Sequence, residues 1–298
     1  MKKVIFTIFL LTLIISSCSK LENNDYSSLK ENKEPYSLFK IEKGMLSFSN
    51  LKDFNALIRK MENMQDEELV DFVNHLNFKS MLLFVNEEDR EKMGIHDNLL
   101  AALLNSDGCI QIGSFIYFVD QKNERVYRIE ENKYVDHDKF LEKIRINSPI
   151  IKEFSVYDEL NEDNSVTLSR RRSCGRNKRG PYYFTMSNGQ RLKYKLVYQA
   201  SLFYHSLLAK IKRVDLSWGG PINFGMATNY QPRNYSYYKK VLSRNKVYIN
   251  FNYGGNGRKY VWRVSKKLKE YRLKVNFFAY NTQDMSNVGH VLEIRCGI

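Results

Sequence analysis

Leu51, Phe54, Leu57, Ile58 and Met61 recur at three- and four-residue spacing, which places them on one face of a helix. Ser49 or Asn50 is positioned to cap it. Leu69, Phe72, Val73 and Leu76 repeat the spacing after Asp66-Glu67-Glu68, whose acidic groups suit the positive end of a second helix. Leu99, Leu100 and Leu103 mark a third, near residues 97–104, so residues 39–106 read as mostly helical. The period then changes. Asp107-Gly108 signals a turn, residues 110–119 predict a strand, Gln121 to Glu124 a turn, and Arg125 to Ile129 a returning strand, together a hairpin packed on the helices. Beyond residue 181 the period is two. Leu192, Tyr194, Leu196 and Tyr198 face one way and Arg191, Lys193 and Lys195 the other, after an Asn188-Gly189 hairpin turn. Val247, Ile249, Phe251 and Tyr253 share a face, as do Tyr260, Trp262 and Val264, then Leu273, Val275 and Phe277, then Leu292, Ile294 and Cys296. The expected class is α+β: a small helical plus β-hairpin N-terminal domain followed by an antiparallel, all-β, sandwich-like C-terminal domain.

The first eighteen residues follow a different rule. Lys2 and Lys3 precede Val4 to Ile15, a run that is apolar except for two threonines, and Ile15-Ser16-Ser17-Cys18 closes it. Twelve helical residues rise about 18 Å, short of the roughly 30 Å hydrocarbon core, so the run predicts no spanning helix. The order resembles a bacterial lipoprotein signal with its lipobox. That resemblance implies cleavage before Cys18, a lipid thioether on Cys18, and attachment to the outer membrane. A plain secretory signal would use the same features without the cysteine. Leu46-Ser47-Phe48, Asp53-Phe54, Glu67-Glu68, Phe78-Lys79-Ser80, Leu104 to Gly108, Ile110 to Gly113 and Ile116-Tyr117 look like the N-terminal region of uncharacterised Bacteroides-type lipoproteins. This resemblance implies a Bacteroidota cell envelope and brings no activity. Lys20-Leu21-Glu22-Asn23-Asn24-Asp25 meets in part the pattern of early acidic residues linked to surface export in that group.

Charge divides the chain more sharply than hydropathy does. Residues 19–168 hold 19 Lys and Arg against 29 Asp and Glu, whereas residues 169–298 hold 26 against 4. The expected organisation is a signal over 1–17, a lipidated polar tether over 18–38, an acidic α+β domain over 39–150, a linker over 151–180 and a basic domain over 181–298. Three explanations of the split stand open: an anionic partner for the basic part, docking of the two parts on each other, or no role.

Six cations, Arg170, Arg171, Arg172, Arg176, Lys178 and Arg179, form the most site-like segment, able to grip phosphate, sulfate or carboxylate or simply to be solvated. Arg191, Lys193, Lys195, Lys259, Arg263, Arg272 and Lys274 are expected outward, as a broad basic face. Trp218, Tyr235, Tyr237 and Tyr238 sit in loop-like sequence and could stack on sugar rings or fold back on a sheet. Of three cysteines after Cys18, Cys174 and Cys296 are the candidate disulfide, with no disulfide as the alternative, and Cys109 reads as a core thiol. No CxxC or closely spaced Cys/His set suggests a metal, and no cofactor is implied. His75, His96, His137, His205 and His290 are scattered, without a serine elbow or P-loop, and His137 between Asp136 and Asp138 reads as a polar turn before a cation site. The function expected is non-catalytic binding or adhesion toward an anionic polysaccharide, lipopolysaccharide or other envelope polymer. The alternatives are a structural or assembly lipoprotein that recognises another envelope protein and, less favoured, a hydrolase. Nucleic acid is not an expected partner of an exported chain.

Overall fold

The computed structural model describes residues 37–168, 178–186, 189, 191–214, 222–230, 247–248, 257–264, 271–281 and 287–296. Cys18, Arg170, Arg171, Arg172, Cys174, Arg176, Trp218, Tyr235, Tyr237 and Tyr238 lie outside them. The fold is α+β.

Strands β1 (Lys40–Glu42) and β2 (Met45–Phe48) lead into helix α1 (Leu51–Met61). Asn50 caps α1 by accepting from the Asp53 amide at 3.0 Å, and all five residues of the apolar stripe are buried. Helix α2 (Asp66–Asn74) starts where the Glu68 carboxylate accepts from the Gln65 amide at 2.6 Å. Three short helices follow: α3 (Met81–Phe84), α4 (Glu87–Lys92) and α5 (Asn98–Leu103). Strands β3 (Cys109–Ile112), β4 (Phe115–Asp120), β5 (Arg125–Glu130) and β6 (Lys152–Ser155) complete a sheet in the order β1-β2-β3-β4-β5-β6, in which β2 and β3 run parallel. The single strand expected over 110–119 is two. Gly113 takes φ +60 and turns the chain after Ile112. One sheet face joins the main core. The other packs Met45, Cys109, Ile116 and Ile129 against Phe140 of α6 (His137–Arg145).

Two short strands, β7 (Glu159–Leu160) and β8 (Val166–Thr167), precede the basic part. There β9 (Lys178–Thr185), β10 (Arg191–Ser201), β11 (Tyr204–Arg213) and β14 (Gly257–Val264) form an antiparallel sheet in the order β14-β11-β10-β9. Strands β12 (Ile222–Tyr230), β13 (Val247–Tyr248), β15 (Tyr271–Asn281) and β16 (Asn287–Cys296) form another, ordered β13-β12-β15-β16. Tyr194 links the two sheets: its ring lies 5.1 Å from Phe277, and its hydroxyl is 2.7 Å from His290 Nδ1.

Residues 38–298 cluster as one compact unit. The change of charge along the chain is not a break in the core, because Phe203, in the turn between β10 and β11, sits edge-on to Phe54 at 5.3 Å and to Tyr117 at 5.8 Å. Burying such a ring contributes about 1.5–3 kcal/mol, so the basic strands carry part of the acidic segment's core with them.

Candidate functional site

On β10 and β11, Lys193 faces Lys212 and Lys195 faces Lys210 in direct register. Like charges opposed across strands repel. The acidic helix α4 relieves them, since Glu87 and Glu91 are four residues apart and share a face. Glu91 takes Lys193 at 3.0 Å and Lys195 at 2.6 Å, while Glu87 takes Lys212 at 3.0 Å and pairs also with Lys210. Burial opposes ionisation of Glu91, but hydrogen bonds and charge from Lys195 and then Lys193 outweigh it and hold its carboxyl at about 2. Burial pulls the Lys195 ammonium down, to about 8, against the hold of Glu91.

These contacts correct the expectation of an outward basic face. Lys195 is 3% exposed, Lys193 and Lys195 both face the helical segment, and Arg263 is buried. Arg191 does reach solvent, its guanidinium 4.8 Å from the centre of the Tyr183 ring, and Lys274 is exposed. Arg263 donates to Asp97 through Nε and Nη2 at 3.0–3.1 Å, and its Nη1 donates to the carbonyls of Glu62 and Met64. The Tyr204 hydroxyl also donates to Asp97, which caps α5 by accepting from the Leu99 amide. Burial and then the Asp97 charge push the Tyr204 phenol well above its ordinary value. Burial opposes the Arg263 charge, but Asp97 outweighs it and raises the guanidinium further.

Beside the lysine cluster lies a cleft of ≈ 550 Å³, within the size range of ligand pockets. Its floor is a loop tied down by one side chain. Gln199 of β10 accepts from the amides of His96 and Asp97 and donates to the Gly94 carbonyl. Gly94 takes φ +85 with the Gln121 backbone 3.0 Å from where a Cβ would stand, so glycine alone fits. His96 Nδ1 lies 3.0 Å from Lys195 Nζ. An ammonium can only donate, so Nδ1 accepts and the neutral ring carries its proton on Nε2. Burial, together with the charges of Lys195 and Lys178, holds the imidazole at about 3. Tyr157 forms part of the wall, stacked on Tyr198 at 6.4 Å with its hydroxyl donating to Glu124.

Residues 40–147 match DUF4848, a domain of unknown function. The crystal structure of a DUF4848 family protein from Bacteroides thetaiotaomicron is similar at 14% identity, covering 86% of this chain and 99% of that one, with a TM-score of 0.21. No curated protein matches the chain. The DUF4848 match contains Glu87, Glu91, His96 and Asp97, whereas the lysines, Arg263 and Gln199 that meet them lie beyond it.

Of the arginine cluster, Lys178 and Arg179 are described. Both are exposed on β9; Lys178 lines the cleft and Arg179 Nε donates to the Glu293 carbonyl at 3.4 Å. Cys296 ends β16, its backbone in register with Tyr271. Cys109 is a buried free thiol, as the strand pattern predicted, and burial pushes it far above the ordinary thiol range. Asp136 caps α6 by accepting from the Lys139 amide at 2.8 Å, so His137 opens a helix where a polar turn was expected. Among the described residues no group of three or more His, Cys, Asp or Glu is placed to hold a metal ion, and no helix is long and apolar enough to cross a membrane. The sequence reading missed Glu87 and Glu91 as partners of the lysines. Their signal was present: a four-residue acidic spacing suits lysines alternating on a strand.

Proposed function

We propose that the protein is a cell-envelope lipoprotein, anchored through Cys18 to the outer membrane, that binds an anionic glycan or envelope polymer without transforming it. The observation that carries this reading is the cleft, which Lys122 and Lys178 line together with Glu91, Glu124 and Lys92, the last paired with Asp89 at 3.0 Å. Glu91 is spent on two lysines, and Glu124 accepts from Tyr157. The acid–base groups here are engaged in holding charge: both Glu91 oxygens are taken, and His96 Nδ1 accepts from Lys195. That arrangement favours binding over proton transfer. In this reading the two four-stranded sheets are the layers of a sandwich, and Lys178 and Arg179, exposed on β9, add to the cationic surface beside the cleft. A second reading, docking of another envelope protein, draws on Leu83 and Phe84 of α3, which are 36% and 59% exposed side by side.

Binding of the chain to heparin and to lipopolysaccharide tests the proposal. Affinity for at least one is expected at low salt and should fall steadily as salt screens the attraction. Failure to bind either at low salt overturns it.

A further inference from the structure

We propose that the cleft is the recognition site for a single anionic sugar unit, with its carboxylate or phosphate ester between Lys178 Nζ and His96 Nε2–H and its ring against Tyr157. The inference deepens the anionic-polymer reading and rests on it.

Three observations converge. The first is a donor that cannot become a base at ordinary pH. His96 Nδ1 is occupied by the Lys195 ammonium, so Nε2 carries the ring proton. His96 is partly exposed and lines the cleft, and no described residue takes a hydrogen bond from Nε2. The second is charge. Lys178 lines the same cleft, and no carboxylate pairs with it among the described residues. Its charge is felt at His96 and at Lys195, where it disfavours a further proton, so the three nitrogens share one electrostatic neighbourhood. Four lysines answered by two glutamates lie beside the cleft, which Glu91 lines, and an anion in it offsets part of that excess. The third is shape. Tyr157, stacked on Tyr198, gives an aromatic wall beside Val156 and Val197, while Gly94 and Gly180 carry no side chain into the space. A polar ring with an apolar face and one negative group matches that combination. An inorganic anion uses only the cations, and an uncharged sugar uses only the wall.

The loop that bears His96 is pinned by Gln199 and by Gly94 against Gln121, so the donor is set before any ligand arrives. A preset donor and a fixed wall reduce the ordering cost of binding.

The test is a titration of the full chain with glucuronate, glucose 6-phosphate and glucose, followed by calorimetry and by the nitrogen resonances of His96. Glucuronate, glucose 6-phosphate or both should bind at least about tenfold tighter than glucose, the tighter one naming the anion, and the His96 Nε2 resonance should shift on binding. Lys178→Gln, at an exposed position, should weaken the anionic sugar about tenfold while the unfolding midpoint stays in place. Tyr157→Ala should weaken all three sugars alike. Equal affinity for glucose and the anionic sugars, or an unmoved His96 resonance at saturation, overturns the assignment. Heparin binding by the wild-type chain that Lys178→Gln and Tyr157→Ala leave unchanged overturns the cleft as the site and leaves the polymer reading standing. Absence of wild-type binding to heparin and lipopolysaccharide removes the polymer reading itself.

Discussion

At the start of α5 one carboxylate, Asp97, meets one guanidinium, Arg263, and both are buried; along α4 two carboxylates meet four ammonium groups, with Glu87 37% and Lys212 32% exposed at the outer end. Both are places where the acidic segment grips the basic strands. The first is balanced, and the remaining donors of Arg263 end on the carbonyls of Glu62 and Met64. The second carries more cations than anions, opens to water at one end and touches a cleft at the other. A balanced, sealed pair fixes geometry. An unbalanced, half-open one leaves charge for a ligand, and the same two segments supply both.

Removing Asp97 tests the sealed pair. Asp97→Ala strips Arg263 of its counter-charge and Tyr204 of its acceptor, and it also uncaps α5. Breaking a buried pair from one side costs about 3–5 kcal/mol, and a lost cap adds about 1 kcal/mol. The urea unfolding midpoint should fall steeply. Asp97→Asn retains an oxygen for the α5 cap and should recover the capping part alone. If Asp97→Ala moved the midpoint no more than a surface substitution does, the pair would not be a structural grip between the two segments.

Acid tests the second cluster. His96 is held at about 3 in the fold against about 6.5 in the unfolded chain, so the unfolded chain takes up a proton first as pH falls. Stability therefore declines from about pH 6.5 downward. Glu91, held at about 2 against 4.5, acts in the same direction but only below its ordinary range. Between about pH 6.5 and 4.5 the difference between wild type and His96→Gln isolates the imidazole; wild type should lose about 1–2 kcal/mol more over that window, allowing for its partial exposure. Parallel curves of stability against pH for the two proteins would show that His96 is solvated and free to charge.

The contrast explains what could be read from the chain. The α1 stripe was legible because five apolar residues at helical spacing leave one solution, and all five are buried. The hairpins of β4 with β5 and of β9 with β10 were legible from alternation and turn residues, whereas the turn at Gly113 that separates β3 from β4 was not. Alternation says that Leu192, Tyr194 and Leu196 oppose Lys193 and Lys195. It does not say what covers either side, and on β10 both sides are covered. Helix α4 hid for a related reason. Glu87 to Lys92 carries no apolar stripe, its one buried residue is Arg90, and its reason for lying on the sheet is four lysines more than a hundred residues away. Arg263 was assigned outward by the same alternation, and its partner Asp97 is 166 residues distant. The cleft draws its lining from α4, the loop to His96, the turn after β4, Tyr157, β9 and β10, so only the tertiary fold assembles it.

The mildest test compares the two glutamates of one helix. Glu91 lies at the buried end of the cluster and Glu87 at the open end, yet each holds two lysines. If charge pairing alone mattered, Glu87→Gln and Glu91→Gln would cost the same. Screening by water makes them unequal. Loss of a partly exposed pair costs about 0.5–1 kcal/mol, so Glu87→Gln should shift the midpoint slightly, and added salt should shrink its effect. Glu91→Gln leaves Lys195 buried without its anion and should cost several times more, with little salt dependence. It should also lower the Lys195 ammonium further, because burial and then the charges of Lys193 and Lys178 would act on it without the opposing hold of Glu91. Equal costs with equal salt dependence would mean that α4 rests on the sheet by contact rather than by charge. The surplus of lysines would then be a feature of the sheet alone, with no bearing on the cleft beside it.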